Sequence, residues 1–134
     1  MESNLNLLLR ENPGNKIAFE YLMGFYLLNK DLRNFMDHLP LMEKMDYKEI
    51  PVSYQEAIMY VIGLSTKNPL ENLPQGISLE TRIRMQTYAQ IYTTRKNAGD
   101  LLRKDYSGTY WYYLHYKQIK IQEGNNKSGK PVKS

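Results

Sequence analysis

Apolar positions along this 134-residue chain recur mostly at intervals of three and four, as in Phe19, Leu22, Met23 and Tyr26, or Met85, Tyr88, Ala89 and Tyr92. That spacing places side chains on one face of an α-helix. Strand signals are few, with no Asn-Gly or Asp-Gly hairpin pair and no long alternation. The expected fold is all-α. Helix starts are marked by short polar side chains that can accept from exposed amides. Asn15 opens a helix to about Asn29, and Asp31 opens the next, which Pro40 breaks after Leu39 because proline lacks the amide a helix interior needs. Ser53-Tyr-Gln-Glu56 has the form of a capping box and predicts a helix to about Leu64. The stretch Ser65–Gly76, with Asn68-Pro69, Pro74 and Gly76, reads as a loop. Ser78 caps a helix to about Arg95. After a break at Asn97–Asp100 a short segment begins at Leu101, and Ser107 or Thr109 starts a last helix to about Ile121. About five main helices result, in one domain over residues 1–123.

The last helix holds the densest chemistry, with Tyr110, Trp111, Tyr112, Tyr113 and Tyr116 within seven residues. On a helix, Tyr106, Tyr110, Tyr113, Leu114 and Ile121 share one face, which predicts a core role for Tyr110, Tyr113 and Leu114. Tyr112 and Tyr116, with Trp111 on neither face, are left over for a partner or for the remainder of a longer array.

Charge changes the picture little. The net charge is +4, yet Lys127, Lys130 and Lys133 lie in the tail 124–134, leaving 15 basic against 14 acidic side chains over 1–123. The tail has the composition of a disordered segment. Arg82, Arg84, Arg95, Lys96, Arg103 and Lys104 are interspersed with Glu80, Asp100 and Asp105, which argues against nucleic-acid binding. Cysteine is absent, so disulfides, thiolate metal sites and thiol catalysis are excluded. No apolar run is long enough to cross a membrane. His38 and His115 are distant in sequence, and neither sits in a zinc-ligand spacing. Phosphate-binding, nucleophile-elbow and metalloprotease motifs do not occur. Carboxylate pairs such as Asp46 with Glu49, or Glu11 with Glu20, are what a solvated helix surface supplies. Neither an enzymatic activity nor a cofactor is expected.

The pattern Phe19-x-x-Leu22-Met23-x-x-Tyr26 resembles the first helix of a tetratricopeptide repeat, and Tyr54-x-x-Ala57-Ile58-x-x-Val61 repeats it more weakly 35 residues later. Leu5, Leu8 and Asn12-Pro13 resemble the close of a preceding repeat, so residues 1–13 read as its end. The wording of residues 15–35, with IPVSYQEAI and TYWYY, is similar to the C-terminal helical part of an uncharacterised bacterial family with membrane-anchored longer members. The compartment is otherwise open. Met23, Ile58 and Phe35 stand where such repeats carry small residues, which implies a degenerate, compact array of antiparallel helix hairpins.

The resemblance implies an interaction or scaffold role. The partner would be a peptide or helix, the rest of a longer chain of its own included. The groove-facing positions carried over are Glu20, Gly24, Leu27 and Leu28, then Gln55, Met59 and Ile62; they suit an amphipathic helix or an apolar peptide, or else are covered by the following helices of a short compact domain. Self-association is expected of an array cut at its end. The alternative is an aromatic platform around Tyr110, Trp111 and Tyr113 that binds glycan or single-stranded nucleic acid.

Overall fold

A computed structural model describes residues 2–65 and 76–118. The expected loop between Ser65 and Gly76, the end of the last helix near Ile121 and the basic tail lie outside these residues. Among the described residues the chain is all-helical, without strands. The described residues form seven α-helices rather than five, the additional ones being α1, Glu2–Glu11, and α6, Ala98–Tyr106. The helices gather into two compact units, residues 2–47 and Lys48–Lys117.

In the first unit α1 is followed by α2, Lys16–Leu28, then α3, Leu32–His38, and a 3₁₀ stretch, Leu39–Lys44. The caps fall where the spacing predicts. The Asn15 side chain accepts from the Ala18 amide at 3.1 Å, and Asp31 accepts from the Asn34 amide at 3.2 Å. Between them α2 closes with a Schellman pair: the Asp31 amide donates to the Tyr26 carbonyl and the Lys30 amide to that of Leu27. This turn needs a left-handed residue, and Lys30 supplies it at φ 58°. Pro40 ends the α-helix at His38 and leaves only the tighter 3₁₀ turns beyond it. α1 and α3 both pack on α2. Phe19, Leu22, Met23 and Tyr26 are all buried there, with Leu9 and Phe35.

The second unit comprises α4, Val52–Ser65, α5, Leu79–Thr94, α6, and α7, Tyr110–Tyr116. Each packs on the next, and α7 packs back on α4, so the four helices form a closed circuit. The capping box at Ser53 does not form. The Pro51 carbonyl accepts from the Tyr54 and Gln55 amides, both at 3.0 Å, so the helix begins at Val52 and Ser53 lies exposed inside its first turn. Glu56 turns inward instead. Its Oε1 accepts from the Tyr110 amide at 2.8 Å, while its carbonyl accepts from the Trp111 indole Nε1 at 2.8 Å. Thr109 completes the start of α7 by accepting from the Tyr112 amide. α6 begins at Ala98, three residues before the expected Leu101, because Asn97 provides the carbonyl for its first bond.

Gln55 has a comparable joining role. Its Nε2 donates to the Ile50 carbonyl at 2.8 Å, and its Oε1 accepts from the Ser78 amide at 2.9 Å, next to the Ser78 cap of α5. Gly76 precedes that cap at φ +98°, and a Cβ there would meet the Ile50 side chain at 2.6 Å. Its left-handed backbone conformation is what favours glycine, while the Ile50 side chain would have to shift to admit a Cβ.

Burial raises the Glu56 carboxyl above its ordinary value of 4.5, against the smaller opposing effects of the Tyr110 amide bond and the Arg84 charge. The folded state therefore holds this proton more tightly than the unfolded state. The resulting stability is full below the ordinary carboxylate value and is lost as pH rises through the raised one. Glutamine keeps the Oε1 acceptor without the charge. Denaturant unfolding across that window should show wild-type stability falling as pH rises, with this component absent in Glu56→Gln. Glu56→Ala, which orphans a buried amide, should cost about 1–3 kcal/mol.

Candidate functional site

The residues expected to line a groove divide by burial. In the first unit, Glu20 is exposed and accepts a 2.7 Å hydrogen bond from the Tyr47 hydroxyl. Leu28 is half exposed, but Leu27 is buried. In the second unit, Gln55 is buried as the clamp described above, Met59 is buried, and Ile62 is half-buried. Leu27, Gln55 and Met59 therefore belong to the interior. The carried-over face is rotated relative to the one α2 exposes.

The exposed face of α2 is built from Ile17, Tyr21, Gly24 and Leu28. Ile17 is 70% exposed, Tyr21 63% and Leu28 50%. Their steps of four, three and four residues keep them on one stripe of a 3.6-residue helix. The buried set Ala18, Phe19, Leu22, Met23, Tyr26 and Leu27 occupies the opposite side. α2 is thus apolar around most of its circumference, with Lys16 and Glu20 as its charged residues. A helix of that kind is ordinarily enclosed on all sides. Gly24 makes a notch in the stripe, since a Cβ added there would meet nothing within 4 Å. Lys16 and Glu20 lie to one side and are both tied to the 3₁₀ end of the unit. Lys16 donates to the Asp46 carbonyl and lies over the Tyr47 ring.

Behind the opposite end of α2 lies a polar network. The Tyr26 hydroxyl donates to Glu2 Oε2 at 2.8 Å, and the Asn6 amide nitrogen lies 3.4 Å from the same hydroxyl. His38 joins its Nδ1 to the Asn34 carbonyl at 2.8 Å and its Nε2 to Asn6 Oδ1 at 3.1 Å. Burial, with the Glu2 charge adding to it, pushes the Tyr26 phenol up from 10.0 to about 12. Both nitrogens of His38 are engaged, so the ring ties α3 to α1 while its face lies against Tyr26 of α2, with centroids 5.1 Å apart.

The start of the aromatic stretch of α7 is interior, whereas Tyr113 and Leu114, expected in the core, are half-buried. Trp111 is fully buried (0% exposed), and Tyr110 and Tyr112 are also buried. The expectation that Trp111 and Tyr112 remain for a partner is corrected by their neighbours: α7 is enclosed by α4 on one side and α6 on another, so rings on more than one face are covered. Tyr88 of α5 packs against Trp111 at 5.5 Å and Tyr106 at 5.6 Å, and its hydroxyl shares a 2.7 Å hydrogen bond with His115 Nδ1. Burial raises the Tyr88 phenol well above its usual range, and the surrounding phenols of Tyr116, Tyr92, Tyr112 and Tyr60 add to this. The His115 ring lies parallel to Tyr92, with centroids 3.9 Å apart. The cluster reaches the surface at Tyr92, 42% exposed, and Tyr116, 38% exposed. Of the leftover rings expected from the sequence, Tyr116 is the one at the surface.

Among the described residues, no three His, Asp or Glu side chains converge in a way that would hold a metal ion, and no helix is long and apolar enough to cross a membrane.

These placements predict spectroscopic behaviour. Trp111 should emit at the short-wavelength end of the indole range and resist quenching by acrylamide. In an alkaline titration followed by phenolate absorbance, Tyr26→Phe should remove a component that ionises near the value of about 12 expected for this phenol. A solvent-like, readily quenched Trp111 would contradict the packing of α7.

Residues 1–117 match a family described as a family of unknown function (DUF6057), and the chain belongs to it. No curated protein and no solved structure matches the chain.

Proposed function

We propose that this member of the DUF6057 family is a non-enzymatic interaction or scaffold module that takes an apolar helix or peptide on the outer face of α2. The single observation that carries the proposal is the two-sided apolarity of α2, with Ile17, Tyr21 and Leu28 exposed opposite a fully formed buried face. Burying a side chain of this size is favourable by about 1.5–3 kcal/mol. Three of them, presented at helical spacing beside an open glycine, make a surface suited to the apolar side chains of a second helix. A tetratricopeptide-like arrangement of the first unit is part of the proposal. Its support is the sequential packing of α1 on α2 and α2 on α3, with the repeat-like positions Phe19, Leu22, Met23 and Tyr26 all buried.

The competing platform for glycan or single-stranded nucleic acid loses its central ring, because Trp111 is enclosed and its Nε1 is spent on the Glu56 carbonyl. Of its other two rings, Tyr110 is buried and Tyr113 is half-buried.

Ile17→Lys with Tyr21→Lys tests the interaction reading. The double variant should keep wild-type helix content and a thermal midpoint within a few degrees, as surface substitutions do. Amphipathic helical peptides selected by display against the wild-type chain should bind the variant at least tenfold more weakly. Loss of folding would place the stripe in the core, and a failure to select any helix that depends on Tyr21 would remove the proposed activity.

A further inference from the structure

We infer that the occupant of the outer face of α2 is the same face of a second copy, arranged antiparallel about a two-fold axis. The inference rests on that face being a contact surface, as proposed above, and names what covers it. The first observation is the symmetry of the stripe. Its steps of four, three and four residues read the same from either end, as any such helical stripe does, so the spacing permits the pairing and the residues at 21 and 24 select it. Two copies of α2 laid antiparallel with a shared two-fold axis therefore bring Ile17 against the second copy's Leu28, and Tyr21 against the second copy's Gly24, twice over. A two-fold interface uses one patch on both subunits and so must be complementary to itself.

The second observation is complementarity of shape at the inner pair. Tyr21 is the largest side chain of the stripe, and Gly24 is the position where the surface is open, with nothing within 4 Å of an added Cβ. A ring seated on a bare backbone segment lets the two helices approach closely, whereas any larger residue at 24 would hold them apart. The third observation concerns charge. Under the same reversal Lys16 faces Asn29 and Glu20 faces Phe25, so directly opposed positions carry no like charges. Three large apolar side chains per copy fall short of the roughly 800 Å² per partner of a standard interface. The association is accordingly weak and reversible.

Sedimentation equilibrium over a wide concentration series tests this with the full chain. Wild type should pass from monomer to dimer. Gly24→Leu is the discriminating variant, because a side chain there enters open space on the monomer and improves the helix. It should unfold no earlier than wild type yet dimerise at least tenfold more weakly, and Tyr21→Ala should weaken the dimer comparably. A wild-type chain that stays monomeric throughout, or a Gly24→Leu chain that dimerises as tightly as wild type, would overturn the antiparallel pairing. If the chain is monomeric while Tyr21-dependent helical peptides still bind, only this inference fails. If Ile17→Lys with Tyr21→Lys unfolds the chain, the contact surface fails with it.

Discussion

The pair of bonds that Glu56 makes to the start of α7 organises the second unit. α7 has seven residues, too few for a helix to hold itself in water. It persists because its first amide and its indole are both taken up by one residue of α4, and because Thr109 caps it from the other side. Once Trp111 Nε1 is fixed on the Glu56 carbonyl, the indole becomes the floor on which Tyr88 packs. Tyr88 in turn fixes His115 through its hydroxyl, and His115 stacks on Tyr92. A run of rings that could display itself to a ligand is thereby used to close a circuit of four helices. The carboxylate that starts this sequence is costly when ionised in a buried place, which ties the joint between α4 and α7 to pH.

The first unit solves a different problem. Its central helix has more apolar surface than α1 and α3 cover. The inner face of α2 is buried, while Ile17, Tyr21 and Leu28 stay in water at a cost of a few kcal/mol relative to burial. The polar groups nearby are already engaged: Lys16 and Glu20 at one end, and Tyr26, Asn6 and His38 at the other. What the unit presents at α2 is therefore an uncharged ridge with a glycine notch, and apolar contact is the chemistry such a ridge can offer.

Much of this was legible where the determining contacts are local. Asn15, Asp31, Ser78 and Thr109 each cap a helix through an amide three residues on, and Pro40 ends α3 by its own covalent structure. Ser53-Tyr-Gln-Glu56 had the same local form, but Glu56 went to an amide 54 residues away, which no spacing reveals. The burial of Trp111 escaped for a related reason. A helix of seven residues is too short for periodicity to say which sides its neighbours occupy. Of the groove residues, Leu28 was identified on the exposed face, whereas Leu27 lies one position on the wrong side of it. Ile17 and Tyr21 were missed, although the signal was present: α2 carries too many apolar residues for a single face, and the excess falls at 17, 21, 24 and 28.

Because the chain lacks cysteine, a thiol placed at Ile17 reports on the outer face of α2 while leaving the Tyr21 ring in place. The account predicts that Ile17→Cys reacts rapidly with a soluble maleimide in dilute solution, and that unlabelled wild-type chain added at high concentration slows the reaction. A thiol that reacts as slowly in dilute solution as one placed at buried Leu22 would contradict it, as would one whose rapid reaction no concentration of wild-type chain retards.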